Sequence, residues 1–118
     1  MRQNPEEKIQ VAVADNLRAR AYSGVVWFHC PNGGRRHIRT AVKLKAMGVR
    51  PGVSDIIAFH KGEAFALELK APKGRPTIEQ LEFLARWRAN GGHGVVAEGE
   101  DEAIACLEAW GLLRGRSA

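Results

Sequence analysis

The chain has 118 residues, of which 45% are hydrophobic and 26% are charged, and its formal net charge is +5. This length allows one domain with a core but not two, so we expect a single domain over 1–118. No apolar run approaches the roughly 20 residues of a membrane span, and the N-terminus lacks the apolar stretch of a signal peptide. We therefore expect a cytoplasmic protein with no membrane partner.

The first predicted element is a helix from about Pro5 to Arg20. Proline is tolerated in a first turn, and the acidic residues that follow suit the positive end of the helix dipole. Apolar residues recur at helical spacing and predict a buried stripe of Ile9, Val13 and Leu17. Extending this stripe one turn back reaches Glu6, which we expect on the core side, whereas Glu7 points more to solvent. A favourable position in the helix dipole is the alternative explanation of Glu6.

A strand candidate at 25–29 is followed by a basic segment. Between Pro31 and Ser54 there is no acidic residue, and a helix candidate from Ile38 to Met47 ends at Gly48. A basic segment of this kind suits the phosphates of a nucleic acid, although a solvated helix face and loop would have the same composition. The candidate nucleic-acid-binding residues are Asn32, Arg35, Arg36, Lys43 and Arg50, with Lys73 from a later loop.

The stretch from Gly48 to Lys70 predicts a β-hairpin. Two runs rich in β-branched and aromatic residues flank a turn at Lys61-Gly62, and a two-residue loop there places Asp55 opposite Glu68. Their β-carbons would be about 5 Å apart, and like charges at that distance are destabilising. Lys70 lies on the same face as Glu68. A hard divalent cation such as Mg²⁺ would turn the repulsion into attraction, so the pair predicts a metal site.

The rest of the chain alternates helix and strand. A Thr77-x-x-Gln80 capping box opens a helix that runs to about Ala89, and a short strand at 94–97 and a helix at 100–110 follow. Capping alone is one explanation of Gln80. The hairpin strands are apolar on both faces, which predicts central strands covered by helices. The fold class is therefore α/β, with a central mixed sheet of about four strands flanked by helices.

Asp55, followed thirteen residues later by Glu68-x-Lys70, resembles the motif of PD-(D/E)xK nucleases. The surrounding segments PNGGRR, LKAMGVRPGVSD and ELKAPKGRPTIEQLEFL resemble the VRR-NUC (viral replication and repair nuclease) domain from about residue 6 to residue 110. The similarity is to the stand-alone phage and bacterial type, and it implies a restriction-endonuclease-like core. Ser54 departs from the family pattern, which has proline there, but it is not a ligand position.

The resemblance implies a phosphodiesterase that depends on Mg²⁺ or Mn²⁺. By position, Asp55 and Glu68 would hold the metal together with the backbone carbonyl of Leu69, and Lys70 would orient or help deprotonate the attacking water. A family glutamate on the first helix matches Glu6 or Glu7, and the stripe favours Glu6. Gln80 matches a polar family position. Neither the motif nor the spacing distinguishes one metal from two.

The function expected from these features is a metal-dependent DNA endonuclease. The alternatives are a catalytically weak or silent nucleic-acid-binding module and an RNA-directed nuclease. Stand-alone relatives are expected to act as homodimers, and a two-fold axis would suit branched DNA such as a four-way junction. Four apolar side chains are candidates for either the core or a dimer interface: Trp87, Trp110, Leu112 and Leu113.

Overall fold

The structure, a computed structural model, describes residues 4–31 and 38–115. Its elements in chain order are α1 (Pro5–Arg20), β1 (Val26–His29), α2 (Ile38–Ala46), β2 (Ile56–His60), β3 (Glu63–Lys70), α3 (Ile78–Ala89), β4 (His93–Glu98) and α4 (Glu100–Ala109). This order of helices and strands is the predicted one, and the boundaries differ from the prediction by no more than the usual uncertainty at element ends.

The four strands form one mixed sheet in the order β1-β2-β3-β4. β3 and β4 are parallel, and the other neighbours are antiparallel. The parallel pair is connected through α3, because parallel strands need a crossover connection. The predicted α/β class with a four-stranded mixed sheet is confirmed.

The predicted hairpin is also confirmed, with Ile56 paired to Leu67 and His60 paired to Glu63. The two loop residues, Lys61 and Gly62, both have positive φ, 50° and 80°. Two-residue loops of this kind match the right-handed twist of the strands that they join. The pairing therefore ends with Asp55 next in line opposite Glu68.

The core lies mainly between one face of the sheet and the helices α1 and α4. The predicted stripe of α1 is buried there, and so are Leu112 and Leu113, with Trp110 packed against them. Trp87 packs on the opposite face of the sheet, in the cluster around Leu84. Of the four apolar interface candidates, Leu112 and Leu113 are therefore core residues, whereas Trp87 and Trp110 are only partly buried.

The apolar residues of α3 recur at helical spacing, which favours one buried stripe, but the first half of that stripe is not buried. Ile78 is 72% exposed and Leu81 is 47% exposed, while Leu84 packs on Ile57 and Ala66. The first turn of α3 meets the protein through its main chain instead. A β-carbon on Gly52 would overlap the main-chain oxygen of Glu79, so the loop before β2 lies directly against this turn.

The apolar faces of the hairpin strands predicted that helices cover both sides of the sheet, but the covering is incomplete. Val26, Phe28 and Phe59 remain exposed on β1 and β2, on the face where α3 packs over β3 and β4. Val42 on α2 is 65% exposed, and Met47, directly after this helix, is 71% exposed. In the described part of the chain, no helix is long and apolar enough to cross a membrane.

Candidate active site

Asp55, Glu68 and Lys70 come together at one end of the hairpin. Asp55 immediately precedes β2, and Glu68 and Lys70 are among the last three residues of β3. Side chains alternate between faces along a strand, so Glu68 and Lys70 share the face of Ala66, which is packed against α3. The predicted convergence of two carboxylates and an ammonium is therefore present in the structure.

Glu68 is unusual for an ionisable group because its side chain is 2% exposed. One carboxylate oxygen, Oε2, lies 3.5 Å from Nζ of Lys70, and the other, Oε1, is buried without a hydrogen-bond partner. Burial, followed by the charge and hydrogen bond of Asp55, raises the pKa of Glu68 to about 8 against the opposing effect of Lys70. A buried acceptor without a donor costs free energy. The site therefore favours any positive group that can reach this oxygen.

Asp55 is held by its neighbours at both its main chain and its side chain. Its Oδ2 accepts a 2.8 Å hydrogen bond from the main-chain amide of Leu69. Its main-chain oxygen accepts hydrogen bonds from the amide of Cys30 at 2.9 Å and from Nδ1 of His29 at 2.7 Å. The hydrogen bond from Cys30 extends the pairing of β1 and β2 by one residue. The hydrogen bond from His29 requires that its imidazole carries a proton on Nδ1. The carboxylate is thus fixed beside Glu68 before any ligand binds.

The predicted ligand set has the chemistry of a hard divalent cation. Carboxylate and carbonyl oxygens are the donors that Mg²⁺ prefers. The amide of Leu69 is directed toward Asp55, and the carbonyl of a strand residue points to the same side as its amide. Across residues 4–31 and 38–115, no cluster of three or more His, Cys, Asp or Glu side chains with metal-site geometry is present. The fit therefore rests on Asp55, Glu68 and the Leu69 carbonyl.

The two glutamates at the start of α1 have different partners. Oε1 of Glu6 lies 3.8 Å from Nζ of Lys70, which is 8% exposed. Glu7 instead accepts a hydrogen bond from the amide of Asn4, whose side chain accepts from the amide of Glu7 in return. This reciprocal pair is a capping box. Glu7 is thus engaged in the helix cap, and Glu6 is the one at the site.

Gln80 is accounted for by its capping function. Its Oε1 accepts a 2.8 Å hydrogen bond from the amide of Thr77, and the hydroxyl of Thr77 accepts from the amide of Gln80. The adjoining main chain is close to the loop that leads to Asp55, since a β-carbon on Gly52 would lie 2.9 Å from the Gln80 nitrogen. A catalytic contribution of the Gln80 side chain stays a prediction.

The candidate nucleic-acid-binding residues divide into two groups. Asn32, Arg35 and Arg36 lie outside the described residues. Lys43, Arg50 and Lys73 are exposed, as contact with a phosphate backbone requires. Their contribution to DNA binding stays a prediction.

Two polar residues near the site were not predicted. Ser54 is fully buried directly before Asp55, and its hydroxyl oxygen has no partner among the described residues. The amide oxygen of Gln10 is also buried without a partner. Residues four apart on a helix are neighbours, so Gln10 lies beside Glu6 on α1. That spacing was a usable signal for Gln10, whereas no local pattern marks the burial of Ser54.

Solved structures with the same fold share a description. One, described as a "VRR_NUC domain protein", superposes with a TM-score of 0.76 and 23% sequence identity, covering 93% of this chain and 90% of that chain. Another, described as a "VRR_NUC domain", has a TM-score of 0.63 and 17% identity over 92% of this chain and 99% of that chain. No family model and no curated protein matches the sequence. The chain therefore has the fold of the VRR_NUC domain, as the sequence resemblance predicted.

Proposed function

We propose that this protein is a DNA endonuclease that hydrolyses phosphodiester bonds with Mg²⁺ or Mn²⁺. One observation carries the proposal: a carboxylate oxygen of Glu68 is buried without a partner, beside the carboxylate of Asp55. A purely structural pair of this kind would be destabilising, since Glu68 must either carry a negative charge beside Asp55 or hold a proton far above its ordinary pKa. The likeness to VRR_NUC structures supports a nuclease, and the exposed basic side chains support a nucleic-acid substrate.

Each residue of the site has a distinct part in this mechanism. Asp55, Glu68 and the Leu69 carbonyl would hold the cation. When bound, the cation would supply Lewis acidity and lower the pKa of its bound water, so that a nucleophile is available at neutral pH. Lys70 lies beside Glu68 and would orient the attacking water and offset the negative charge that builds on the phosphate. Glu6, 3.8 Å from the Lys70 ammonium, would keep that ammonium directed toward the site.

Cleavage of labelled DNA in the presence of Mg²⁺ or Mn²⁺ tests the proposal. Wild-type protein should cleave, whereas Asp55→Asn and Glu68→Gln should lose at least about 100-fold in rate, because removing a metal ligand also removes the metal's contribution. Glu63→Gln is the matched control, since it removes a carboxylate from the exposed start of the same strand. Full activity in both ligand variants would overturn the site.

Lys70→Ala separates catalysis from metal binding. An ammonium is not a ligand, so calorimetric titration should find the metal still bound while cleavage is largely lost. Loss of metal binding in this variant would contradict the function assigned to Lys70. Metal-independent DNA binding without cleavage by wild type would favour the silent binding module, and cleavage confined to RNA would favour the RNA-directed nuclease.

We further propose that two copies act together on branched DNA. The exposed apolar side chains of Val26, Phe28 and Phe59 form a patch on β1 and β2 that a second copy could cover. A two-fold axis would present two sites of opposite polarity, which suits a four-way junction. Light scattering should show a dimer at micromolar concentration that Phe28→Lys disrupts, and a monomeric wild type would contradict this. Equal rates on linear duplex and junction at matched salt would contradict the substrate preference.

A further inference from the structure

A pocket of about 260 Å³ lies at the other end of the sheet from the acidic site. It lies between the second half of α3, the loop before β2 and the start of β3, where Ala64 forms part of its wall. Ala64 and Glu68 are on the same face of β3 and four residues apart, so the pocket is about 13 Å from the carboxylates along the strand. It is therefore a separate site on the same side of the sheet.

The charged groups of this pocket are both positive. Arg50 and Arg86 line it, and no carboxylate does. Over residues 4–31 and 38–115, neither guanidinium makes a hydrogen bond or an ion pair. Asn90 also lines it, and its amide nitrogen already donates to the carbonyl of Arg86, which leaves its amide oxygen as the acceptor. Two unpaired guanidinium groups favour an anionic ligand that offers each of them two oxygen acceptors, such as a phosphate.

The apolar part of the pocket is aromatic. The rings of Phe83 and Trp87 have centroids 5.5 Å apart with planes inclined by 32°, and both side chains are half-buried. Gly92 forms the adjoining wall, where a β-carbon would overlap the indole of Trp87. The absence of a side chain there lets the indole lie against the strand. Aromatic surfaces of this kind bind nucleobases by stacking, largely without regard to sequence.

We propose that this pocket binds one unpaired nucleotide of the substrate strand, with its base on Phe83 and Trp87 and its phosphate between Arg50 and Arg86. The inference rests on the proposed function and extends it to the form of the substrate. Successive phosphates of one strand are 3.4 Å apart along a duplex, so 13 Å corresponds to about four nucleotides from the cleaved bond, and fewer in an extended strand. Among branched substrates, one with a single-stranded arm next to the cleaved position should then bind more tightly than a fully paired one.

An abasic scan measures whether a base occupies the pocket. Wild-type protein is titrated, in chelator so that nothing is cleaved, with labelled DNA carrying a single-stranded arm in which one abasic residue is moved position by position. The affinity should fall about 5- to 100-fold at one position within about four nucleotides of the cleaved bond. Equal affinity at every position, or no DNA binding at all, would overturn the proposal.

Arg86→Gln connects the scan to the pocket. This variant should bind the intact arm several-fold more weakly, reduce the slope of log K against log salt by about 0.7, and lose the abasic effect. Arg18→Gln is the matched control, since it makes the same change at an exposed position on α1. Identical behaviour of the two variants would overturn the assignment.

Two further results separate the neighbouring hypotheses. A free deoxynucleoside monophosphate that binds as tightly as the oligonucleotide would overturn the substrate-strand assignment and indicate an effector site instead. A position-specific abasic effect without metal-dependent cleavage would support the pocket while refuting the proposed function. Cleavage with a flat scan would refute the pocket alone.

Discussion

The main-chain amide of Leu69 donates a 2.8 Å hydrogen bond to the Asp55 carboxylate, which is fourteen residues earlier in the chain. The strand pairing ends at Ile56 and Leu67, so this bond replaces a ladder bond at the end of the hairpin. One carboxylate thus stabilises the strand end and, under the proposed function, would also be a metal ligand. The orientation of Asp55 is set by this hydrogen bond in the folded chain without any metal.

Two substitutions at Asp55 should separate these functions. Asn keeps an oxygen that can accept from the Leu69 amide, whereas Ala leaves that amide without a partner at a cost of about 1–3 kcal/mol. Both variants should lose cleavage, but Asp55→Ala should have a lower free energy of unfolding than Asp55→Asn by about that amount. Urea denaturation without metal measures the difference, and equal stabilities would mean that the hydrogen bond contributes little.

The stability of the metal-free protein should fall as the pH rises from about 4.5 to about 8. The pKa of Glu68 is raised from an ordinary value near 4.5 to about 8, chiefly by burial, so the folded protein holds a proton that the unfolded chain releases within this window. Stability is then greatest below the unfolded pKa and is lost as the pH approaches the folded one, by at most about 1.4 kcal/mol per pH unit. Denaturation at several pH values measures the slope. Glu68→Gln should flatten it, and an unchanged slope in that variant would assign it to another group.

Metal binding near pH 6.5 should release close to one proton. Because the pKa of Glu68 is about 8 in the metal-free protein, the cation has to displace the Glu68 proton, and its affinity should increase with pH until that group is ionised. Calorimetry in two buffers of different ionisation enthalpy counts the protons released. The titrations use Mn²⁺ and buffers without phosphate, because phosphate itself binds divalent cations. No proton release at this pH would show that Glu68 is already ionised or is not a ligand.

The parts of the fold that followed from sequence are those with strong local signals. The Lys61-Gly62 turn determines the hairpin pairing, and with it the meeting of Asp55 and Glu68. The choice of Glu6 over Glu7 followed from the apolar stripe of α1, and the spacing Asn4-x-x-Glu7 of a capping box was a second local signal that the prediction did not use.

The parts that did not follow depend on packing between distant elements. Ile78 and Leu81 have helical spacing with Leu84, yet they are exposed because the first turn of α3 is approached by the main chain at Gly52. Periodicity shows which side chains share a helix face, but not how far along the helix the sheet extends. The pocket at Arg50 and Arg86 could not be predicted from the sequence for the same reason, since 36 positions separate the two residues along the chain.

Glu6 and Glu7 should respond differently to the same change. Glu6→Gln removes the carboxylate next to the Lys70 ammonium and should lower the cleavage rate with little change in the free energy of unfolding, because Glu6 is half exposed. Glu7→Gln can still accept from the Asn4 amide and should leave both properties nearly unchanged, whereas Glu7→Ala should cost roughly 0.5–2 kcal/mol of stability, as the loss of a cap does, with full activity. A cleavage defect in Glu7→Ala greater than that in Glu6→Gln would reverse the assignment.

Gly52→Ala should destabilise the protein more than Gly48→Ala does. Both glycines have positive φ, 84° and 103°, so each substitution carries the cost of about 1–2 kcal/mol that a side chain has in this region. At Gly48 the added β-carbon would meet nothing within 4 Å, whereas at Gly52 it would overlap the main chain of Glu79. The difference between the two variants in urea denaturation therefore isolates the contact between the loop and α3.

Since Gly52 is three residues before Asp55, its substitution should also reduce cleavage, while Gly48→Ala should leave the rate close to that of wild type. Equal losses of stability in the two variants would show that the loop can move away from α3 without cost.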